Sequence, residues 1–157
     1  MPIYSSDLCV GGTAICDLYN PKYPPSNVFD NSVDTMWASQ RIGNNMENVC
    51  WIGYHFANVV NIKRMRLYTA PNELLNATGV KIGYSDDGAA WTSLQTFSIP
   101  VTGAVWLTLD ITASNNTKHR YWRLMVTDYP GTSSWIVPEL EMMSIFDKNS
   151  YIMGWVD

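Results

Sequence analysis

The segment "HRYWRLMVTDY", residues 119–129, alternates two kinds of side chain along its length. One side of the extended chain is apolar (Trp122, Leu124 and Val126), and the other side is mixed (Tyr121, Arg123 and Met125). This period of two predicts a β-strand with one face on a core. The same pattern recurs in residues 50–57, 61–70, 78–94, 105–112 and 139–147. Many short alternating segments between turn residues predict an all-β protein, either a sandwich or a barrel.

Length and composition describe one ordinary domain. The chain has 157 residues, of which 46% are hydrophobic and 15% are charged. Its formal net charge is -4, whereas nucleic-acid-binding domains are typically basic, so we expect no nucleic-acid partner. The cationic runs at residues 62–67 and 118–124 alternate with apolar residues and are interpreted as exposed strand faces. No apolar run of 18 residues occurs in the sequence, which predicts no transmembrane helix.

The cysteines and the N-terminus bear on localisation. Cys9, Cys16 and Cys50 are an odd number, so at least one has no partner within the chain. Cys9 and Cys16 are able to pair, although free buried thiols are the favoured interpretation. The first residues have no basic start and no long apolar stretch, so we expect no signal peptide here. Free thiols favour a reducing compartment. A cell-surface protein, secretion by another route and a virion component stay open.

We expect no catalytic activity. The sequence contains no GxSxG, HExxH or Walker motif and no dinucleotide fingerprint. The two histidines, His55 and His119, fall in predicted strands, and we interpret His55 as a residue of the solvent-facing side. Glu139 and Glu141 are two positions apart on one predicted strand, which does not give the two carboxyls flanking a cleft that a glycosidase needs.

An oxygen-rich loop lies next to predicted core residues in "PSNVFDNSVDTMWAS", residues 25–39. Carboxylates and possible backbone ligands recur at two-residue intervals over residues 27–35, and calcium takes six to eight such oxygens at a tight turn. The alternative is that Asp30 and Asp34 simply cap turns through their own backbone. We interpret Trp37 as a core residue beneath this loop.

The order of six pieces carries a family resemblance. After residues 25–39 come "WIGYHF", "IKRMRLY", "GVKIGYSDDGAAWTSL", "RYWRLMV" and "WIVPELEM". From about residue 12 to residue 146 the chain resembles the discoidin domain, also called the coagulation factor 5/8 type C domain. It is also similar to family-32 carbohydrate-binding modules. The resemblance implies a galactose-binding-domain-like jelly roll, an antiparallel β-sandwich with binding loops at one end, and a role in adhesion.

The resemblance also implies a structural calcium ion in the oxygen-rich loop. Carried over by position, its ligands are Asn27 (carbonyl), Asp30, Ser32 (carbonyl), Thr35, Pro138 (carbonyl) and Glu139. Relatives usually have glycine after the aspartate, and this chain has Asn31. Because asparagine tolerates the left-handed backbone conformation, we expect the loop to survive this change.

The resemblance further implies a non-catalytic module that binds a glycan through loops 17–26, 39–49, 68–78 and 128–135. The candidate ligand-binding residues are Tyr19, Tyr23, Arg41, Asn72, Glu73, Tyr129 and Trp135. For Trp135, packing before the last strand is an equal alternative. Galactose-binding relatives often have a histidine at the position of Ala38 and an arginine in the loop at 68–79, and both are missing here. A familiar galactose site is therefore not expected, and the sugar stays open.

The sequence leaves two other functions to consider. Leu74 and Leu75 offer an apolar spike for a membrane, but the acidic chain has no basic residue nearby, so we expect no membrane partner. The alternative to glycan binding is a structural or protein-interaction module of a larger assembly, such as a virion or tail component. Residues 1–146 are predicted to form the domain, and residues 147–157 a C-terminal tail. A docked tail is favoured by Ile152 and Trp155, and a linker stub or a disordered end stays open.

Overall fold

A computed structural model describes residues 1–146, and the predicted tail at 147–157 lies outside the described residues. The described part contains β-strands and short 3₁₀ helices and no α-helix. The strands are β1 (Thr13–Cys16), β2 (Trp37–Ala38), β3 (Trp51–Val60), β4 (Arg64–Tyr68), β5 (Gly79–Ser85), β6 (Thr92–Ser98), β7 (Trp106–Asp110), β8 (His119–Asp128), β9 (Ile136–Val137) and β10 (Glu139–Met143). The 3₁₀ helices are Pro25–Phe29, Gly43–Met46 and Glu73–Leu75.

Two antiparallel sheets form the body of the molecule. The larger has the strand order β1-β3-β8-β5-β6, and the smaller has the order β10-β4-β7. The short strands β2 and β9 pair with each other beside them. This arrangement confirms the predicted all-β antiparallel sandwich. Within residues 1–146, no helix is long and apolar enough to cross a membrane.

The core lies between the inner faces of the two sheets. The larger sheet contributes buried side chains from its three central strands: Ile52, Tyr54, Phe56, Val80, Ile82, Trp122, Leu124 and Val126. The smaller sheet contributes Met65, Leu67, Leu109, Leu140 and Met142. The alternation read from residues 119–129 is confirmed, since its apolar side faces this core and its mixed side faces outward.

The outer face of the smaller sheet carries the cationic run of residues 62–67. Arg64 lies opposite Asp110 of β7 and Arg66 opposite Glu141 of β10, and each pair forms an ion pair. The closest atoms are 2.6 Å apart for Arg64 and Asp110 and 3.0 Å apart for Arg66 and Glu141. The interpretation of this run as an exposed strand face is confirmed, and cross-strand carboxylates neutralise its charge.

Each of the three cysteines is a free thiol, so the pairing of Cys9 with Cys16 that the sequence left open is not formed. Cys9 and Cys50 are buried. Burial raises the pKa of the Cys50 thiol to about 12 and that of Cys16 to about 11. Both thiols therefore stay protonated and poorly reactive near neutral pH.

Candidate functional site

The four loops predicted to bind a ligand lie together at one end of the sandwich. Backbone and side-chain hydrogen bonds join each loop to the next. They run from Gln40 N to Leu18 O (3.3 Å), from Gly43 N to Ser133 O (3.2 Å) and from the Tyr129 hydroxyl to Leu74 O (3.4 Å). Loops 17–26, 39–49, 128–135 and 68–78 are thus linked in that order. The sandwich holds them as one surface, which we call the loop end.

A polar hollow of about 480 Å³ opens at loop 39–49, and we call it the amide hollow. It is lined by Gln40, Arg41, Ile42, Asn44, Asn45, Glu47 and Val49. Arg41 is held in place by Asp17, to which its Nη2 donates over 3.3 Å and its Nε donates more closely. The lining therefore offers amide, carboxylate and guanidinium groups, which are the planar groups that hydrogen-bond sugar hydroxyls.

The structure distributes the predicted ligand-binding residues unevenly. Arg41 lines the amide hollow, and Tyr19 on the neighbouring loop is 42% exposed. Tyr23 is half-buried, with the Lys22 ammonium 5.5 Å from its ring centre. The amide lining also includes Gln40 and Glu47, which sequence reasoning passed over. The polar composition of loop 39–49 was the signal for them.

Asn72 and Glu73 are exposed on loop 68–78. The Asn72 side chain accepts a hydrogen bond from Leu74 N over 3.1 Å, so it caps the 3₁₀ helix Glu73–Leu75. The linked loops bring these two residues to the same end of the sandwich as Arg41. The structure shows no direct contact between the two groups of residues.

Tyr129 and Trp135 are buried, and this corrects their placement among ring faces that a sugar could stack upon. Tyr129 is 3% exposed, and its hydroxyl donates to Ser134 O over 2.7 Å. Trp135 is 1% exposed and packs edge-on against Trp37, with ring centres 5.5 Å apart. Both rings support the loop end from below, which is the packing alternative weighed for Trp135. Trp37 is fully buried, as predicted for a core residue.

Several oxygens of the oxygen-rich loop converge on one hydroxyl. Thr35 Oγ1 lies 2.5 Å from Asp30 Oδ2, 3.3 Å from Asn27 O and 3.3 Å from Ser32 O. A threonine hydroxyl has a single proton, so it satisfies one of these three acceptors at a time. The remaining oxygens face one another, which is an arrangement that a cation relieves.

Glu139 lies against the same loop at the start of β10. Its side chain is 1% exposed, and its Oε1 accepts a hydrogen bond from Asn31 N over 3.3 Å. Among the described residues its Oε2 has no hydrogen-bond partner. Burial, with Asp30 and other carboxylates nearby, raises the pKa of Glu139 to about 8. A buried carboxylate with one unpaired oxygen carries a large desolvation penalty unless a ligand meets it.

The backbone of the loop tolerates the substitution noted in the sequence. Asn31 has a φ of 61°, which is the left-handed conformation expected for the position after Asp30. Pro138, the residue before Glu139, is buried. Within residues 1–146, no three histidine, cysteine or acidic side chains gather at one point. A metal ion in this loop would therefore depend on Asp30, Glu139 and neutral oxygens.

A hydrogen-bonded chain around His119 has the outline of a catalytic triad. His119 Nδ1 lies 2.7 Å from Asp86 Oδ1, and its Nε2 lies 2.7 Å from Thr117 Oγ1. The same hydroxyl is 2.8 Å from Asn115 Oδ1, to which it is able to donate. His119 is 7% exposed and stacks on Tyr84, with ring centres 3.7 Å apart. This chain ties the turn after β5 to the beginning of β8.

Comparison with known proteins identifies relatives of the chain. Residues 8–140 match the model of the F5/8 type C domain family. No curated protein matches the chain in sequence.

Solved structures of low sequence identity share the fold. The chitosan-binding module 1 derived from chitosanase/glucanase from Paenibacillus sp. IK-5 is 22% identical, with a TM-score of 0.67 over 88% of this chain and 98% of that one. The family 32 CBM from C. perfringens NanJ, solved in complex with galactose, is 12% identical, with a TM-score of 0.72 over 90% of this chain and 100% of that one.

A truncated AlyQ with CBM32 and alginate lyase domains is 14% identical, with a TM-score of 0.73 over 94% of this chain. The chain spans about a third of that protein, 35% of its length. These likenesses establish the galactose-binding-domain-like jelly roll expected from the sequence.

Proposed function

The chain belongs to the F5/8 type C domain family, and from this membership we propose that it is a non-catalytic module that binds a glycan at the loop end. The observation that carries the proposal is the amide hollow. Planar hydrogen-bonding groups on Arg41, Asn44, Asn45 and Glu47 line one concave surface. Concave sites with a few convergent polar groups on rigid loops are typical of small-ligand recognition.

Relatives support the ligand class. Two of the similar structures are described by the saccharides they take, chitosan and galactose respectively. The galactose pattern is incomplete in this chain, because Ala38 is buried where relatives often have a histidine. We therefore propose glycan binding without assigning the sugar, and we place the hydroxyl contacts on the amide hollow. Among the predicted ligand residues, Tyr19 is the exposed aromatic ring, and it lies on loop 17–26.

We further propose that calcium occupies the oxygen-rich loop. The donor set fits a hard cation, because two carboxylates, two backbone carbonyls and a hydroxyl belong to this loop and to Glu139 against it. Within residues 1–146, one buried oxygen of Glu139 also has no hydrogen-bond partner. Asn27, Asp30, Ser32, Thr35, Pro138 and Glu139 would hold the ion. Bound calcium would supply positive charge that neutralises Asp30 and Glu139. Because Glu139 pairs with Tyr68, where β4 leads into loop 68–78, the ion would also fasten the base of the loop end.

A glycan-array screen of the purified chain tests the proposal, first with calcium and then with a chelator. The expected result is binding to a defined group of glycans that Asn45→Ala weakens at least about tenfold, because a side chain directed at ligand hydroxyls is removed. The matched control is Asn116→Ala, which removes an exposed asparagine from the loop before β8. This loop lies at the start of β8, whereas loop 128–135 of the loop end follows the end of the strand.

The two parts of the proposal fail separately. A folded protein that binds no glycan on the array would contradict glycan binding. Unchanged melting temperatures with calcium and with chelator would contradict the calcium site and leave the glycan result standing. Binding that Asn116→Ala weakens as much as Asn45→Ala would move the site away from the amide hollow.

A further inference from the structure

The outer face of the larger sheet carries a cluster of rings around one arginine. Trp51 of β3, Tyr121 and Arg123 of β8, and Trp91 in the turn before β6 form this cluster, which we call the aromatic face. The Trp51 and Trp91 ring centres are 5.3 Å apart, and those of Trp91 and Tyr121 are 6.4 Å apart. All four side chains keep part of their surface in solvent.

Arg123 differs from the other half-buried arginines of the described chain. Arg41, Arg64 and Arg66 each hold a carboxylate. The Arg123 guanidinium instead lies 4.2 Å from the Trp91 ring centre and 5.3 Å from that of Trp51, and within residues 1–146 it forms no ion pair. Burial alone lowers the pKa of Arg123, with no acidic group raising it. Its charge is therefore held by π-systems and left without a counter-ion.

Glycines flank Arg123 on both neighbouring strands, and one of them, Gly53, leaves room for its side chain. Arg123 lies opposite Gly53 on β3 and Gly83 on β5. A Cβ at position 53 would come within 2.9 Å of the Arg123 Cβ, so a larger residue would displace the arginine. The guanidinium thus lies beside both indole rings, on a strand whose cross-strand partners at this position are glycines. A planar fork fixed in this way is suited to a carboxylate, which it meets through two parallel hydrogen bonds.

An open hollow of about 410 Å³ adjoins the rings. Its lining includes Asp17, Tyr19, Trp51 and Tyr121, and Arg123 adjoins it through the Trp51 ring. The one acidic residue of that lining, Asp17, is engaged by Arg41 and does not neutralise Arg123. The volume lies within the range of small-ligand sites. One wall is aromatic, which suits the apolar C–H face of a pyranose ring.

We propose that the aromatic face is a second saccharide site, which takes a uronic acid residue by pairing its carboxylate with Arg123 and packing its ring on Trp51, Trp91 or Tyr121. The choice of a saccharide rests on the proposed function, whereas the preference for a carboxylate rests on the unpaired guanidinium. The amide hollow lies at the loop end and the aromatic face on the sheet. Loop 17–26 belongs to the loop end and also contributes Tyr19 to the second hollow.

The test is isothermal titration calorimetry with two probes, an oligogalacturonate and its methyl ester. The two probes share their ring shapes and differ in charge. We expect the acid to bind at least about tenfold more tightly than the ester, because charge-assisted bidentate pairs are the stronger hydrogen bonds. Arg123→Gln abolishes this preference. Arg120→Gln, which removes the same charge from an exposed position of the same strand, keeps it.

Three outcomes would overturn the proposal. The first two are equal affinity for acid and ester, and an acid preference that survives Arg123→Gln. The third is that Arg123→Gln lowers the melting temperature together with the acid preference, while Arg123→Lys restores the melting temperature and not the acid preference. Sedimentation that shows an Arg123-dependent dimer without saccharide binding would make the face a protein surface and would also overturn it.

The Asn45→Ala variant separates the two sites. If it abolishes binding of neutral glycans and leaves the acid preference intact, the aromatic face stands independently of the loop end. Binding of neutral glycans without any acid preference would leave the loop end standing alone.

Discussion

Two buried polar side chains support neighbouring loops in opposite ways. Asn76, 5% exposed, holds loop 68–78 through bonds that use both ends of its amide. Its Oδ1 accepts from Ala70 N (2.9 Å), and its Nδ2 donates to Ala70 O (3.0 Å) and Thr102 O (3.1 Å). Glu139, 1% exposed, holds the oxygen-rich loop by one long bond to Asn31 N and has an oxygen that no described residue meets.

The difference separates a loop that the protein completes by itself from one that it leaves incomplete. Buried polar groups in native proteins are nearly always hydrogen-bonded, so an exception calls for a physical reason. At Asn76 the network is closed by neutral groups and needs no ligand. At Glu139 the acidic group is kept in a position that is unfavourable without a proton or a cation. The comparison therefore predicts that stability at one site is indifferent to calcium and pH, and that stability at the other depends on both.

The largest effect is expected at the closed site. Asn76→Ala removes the side-chain hydrogen bonds to Ala70 and Thr102 and leaves buried backbone groups of Ala70 without a partner, so the free energy of unfolding should fall by about 2–4 kcal/mol. Chemical denaturation measures this change, and it should be equal with calcium and with chelator. The exposed Asn116→Ala is the control and should change stability by less than about 0.5 kcal/mol. A calcium-dependent loss in the Asn76 variant would erase the distinction between the two sites.

Removal of the acidic group is the next largest effect. With calcium at a hundredfold excess over its dissociation constant, the melting temperature of the protein should rise by roughly 5–10 °C. Glu139→Gln should abolish that rise, and without calcium the variant should be at least as stable as the parent, because a neutral amide replaces a buried acid. Glu141→Gln, two residues along the same strand and paired with Arg66, is the control and should keep the rise. A calcium shift that persists in Glu139→Gln would contradict this assignment.

The pH dependence of the calcium-free protein follows from the raised pKa of Glu139. That pKa is about 8 in the folded protein, against an ordinary value of 4.5. Between these values the folded protein retains a proton that the unfolded chain has released. The contribution is therefore complete below pH 4.5 and is lost as pH rises towards 8, with a slope of at most about 1.4 kcal/mol per pH unit.

Denaturation in calcium-free buffer from pH 5 to 8 measures this slope as a difference between the parent and Glu139→Gln. Saturating calcium should flatten the difference, because the ion binds the ionised carboxylate in place of the proton. If the parent instead gains stability relative to the variant as pH rises, the carboxylate is stabilised in its charged form without metal and the comparison with Asn76 fails.

Sequence reasoning predicted the strands better than the sites. Alternation identified β3, β4 and β8 because each buries one face on a shared core, and period two follows directly from that. It missed β1 and the β2–β9 pair, which are too short to show a period. It also named Tyr129 as a ligand residue and left Trp135 open between ligand binding and packing, because a loop aromatic has the same sequence signature whether its ring faces a ligand or the core.

The composition of the oxygen-rich loop and the order of the sequence pieces shared with the family predicted that loop. The sequence analysis did not predict the aromatic face. The groups around Arg123 come from β3, β8 and the turn before β6, so they become neighbours only when the strands are in register. The absence of a carboxylate beside Arg123 within the described residues has no sequence signature either. Contacts across the sheet are what the sequence alone leaves undetermined.

The smallest predicted effect concerns the backbone of the two regions, since each contains one non-glycine residue in the left-handed conformation. Asn31, with φ of 61°, donates its backbone N–H to Glu139, and Ala104, with φ of 55°, donates its own to Ala70 beside Asn76. Asparagine tolerates this conformation and alanine tolerates it poorly. Asn31→Gly should therefore change the free energy of unfolding by less than about 0.5 kcal/mol, whereas Ala104→Gly should stabilise the protein by up to about 1 kcal/mol.

Chemical denaturation of both variants, with and without calcium, distinguishes backbone strain from metal binding. Because Asn31 acts on Glu139 through its backbone N–H, which glycine retains, the calcium shift in melting temperature should be the same in Asn31→Gly as in the parent. A reduced shift would mean that the Asn31 side chain takes part in the site. An unchanged shift would mean that the calcium dependence of stability comes from the Glu139 carboxylate rather than from the side chain of the loop that covers it.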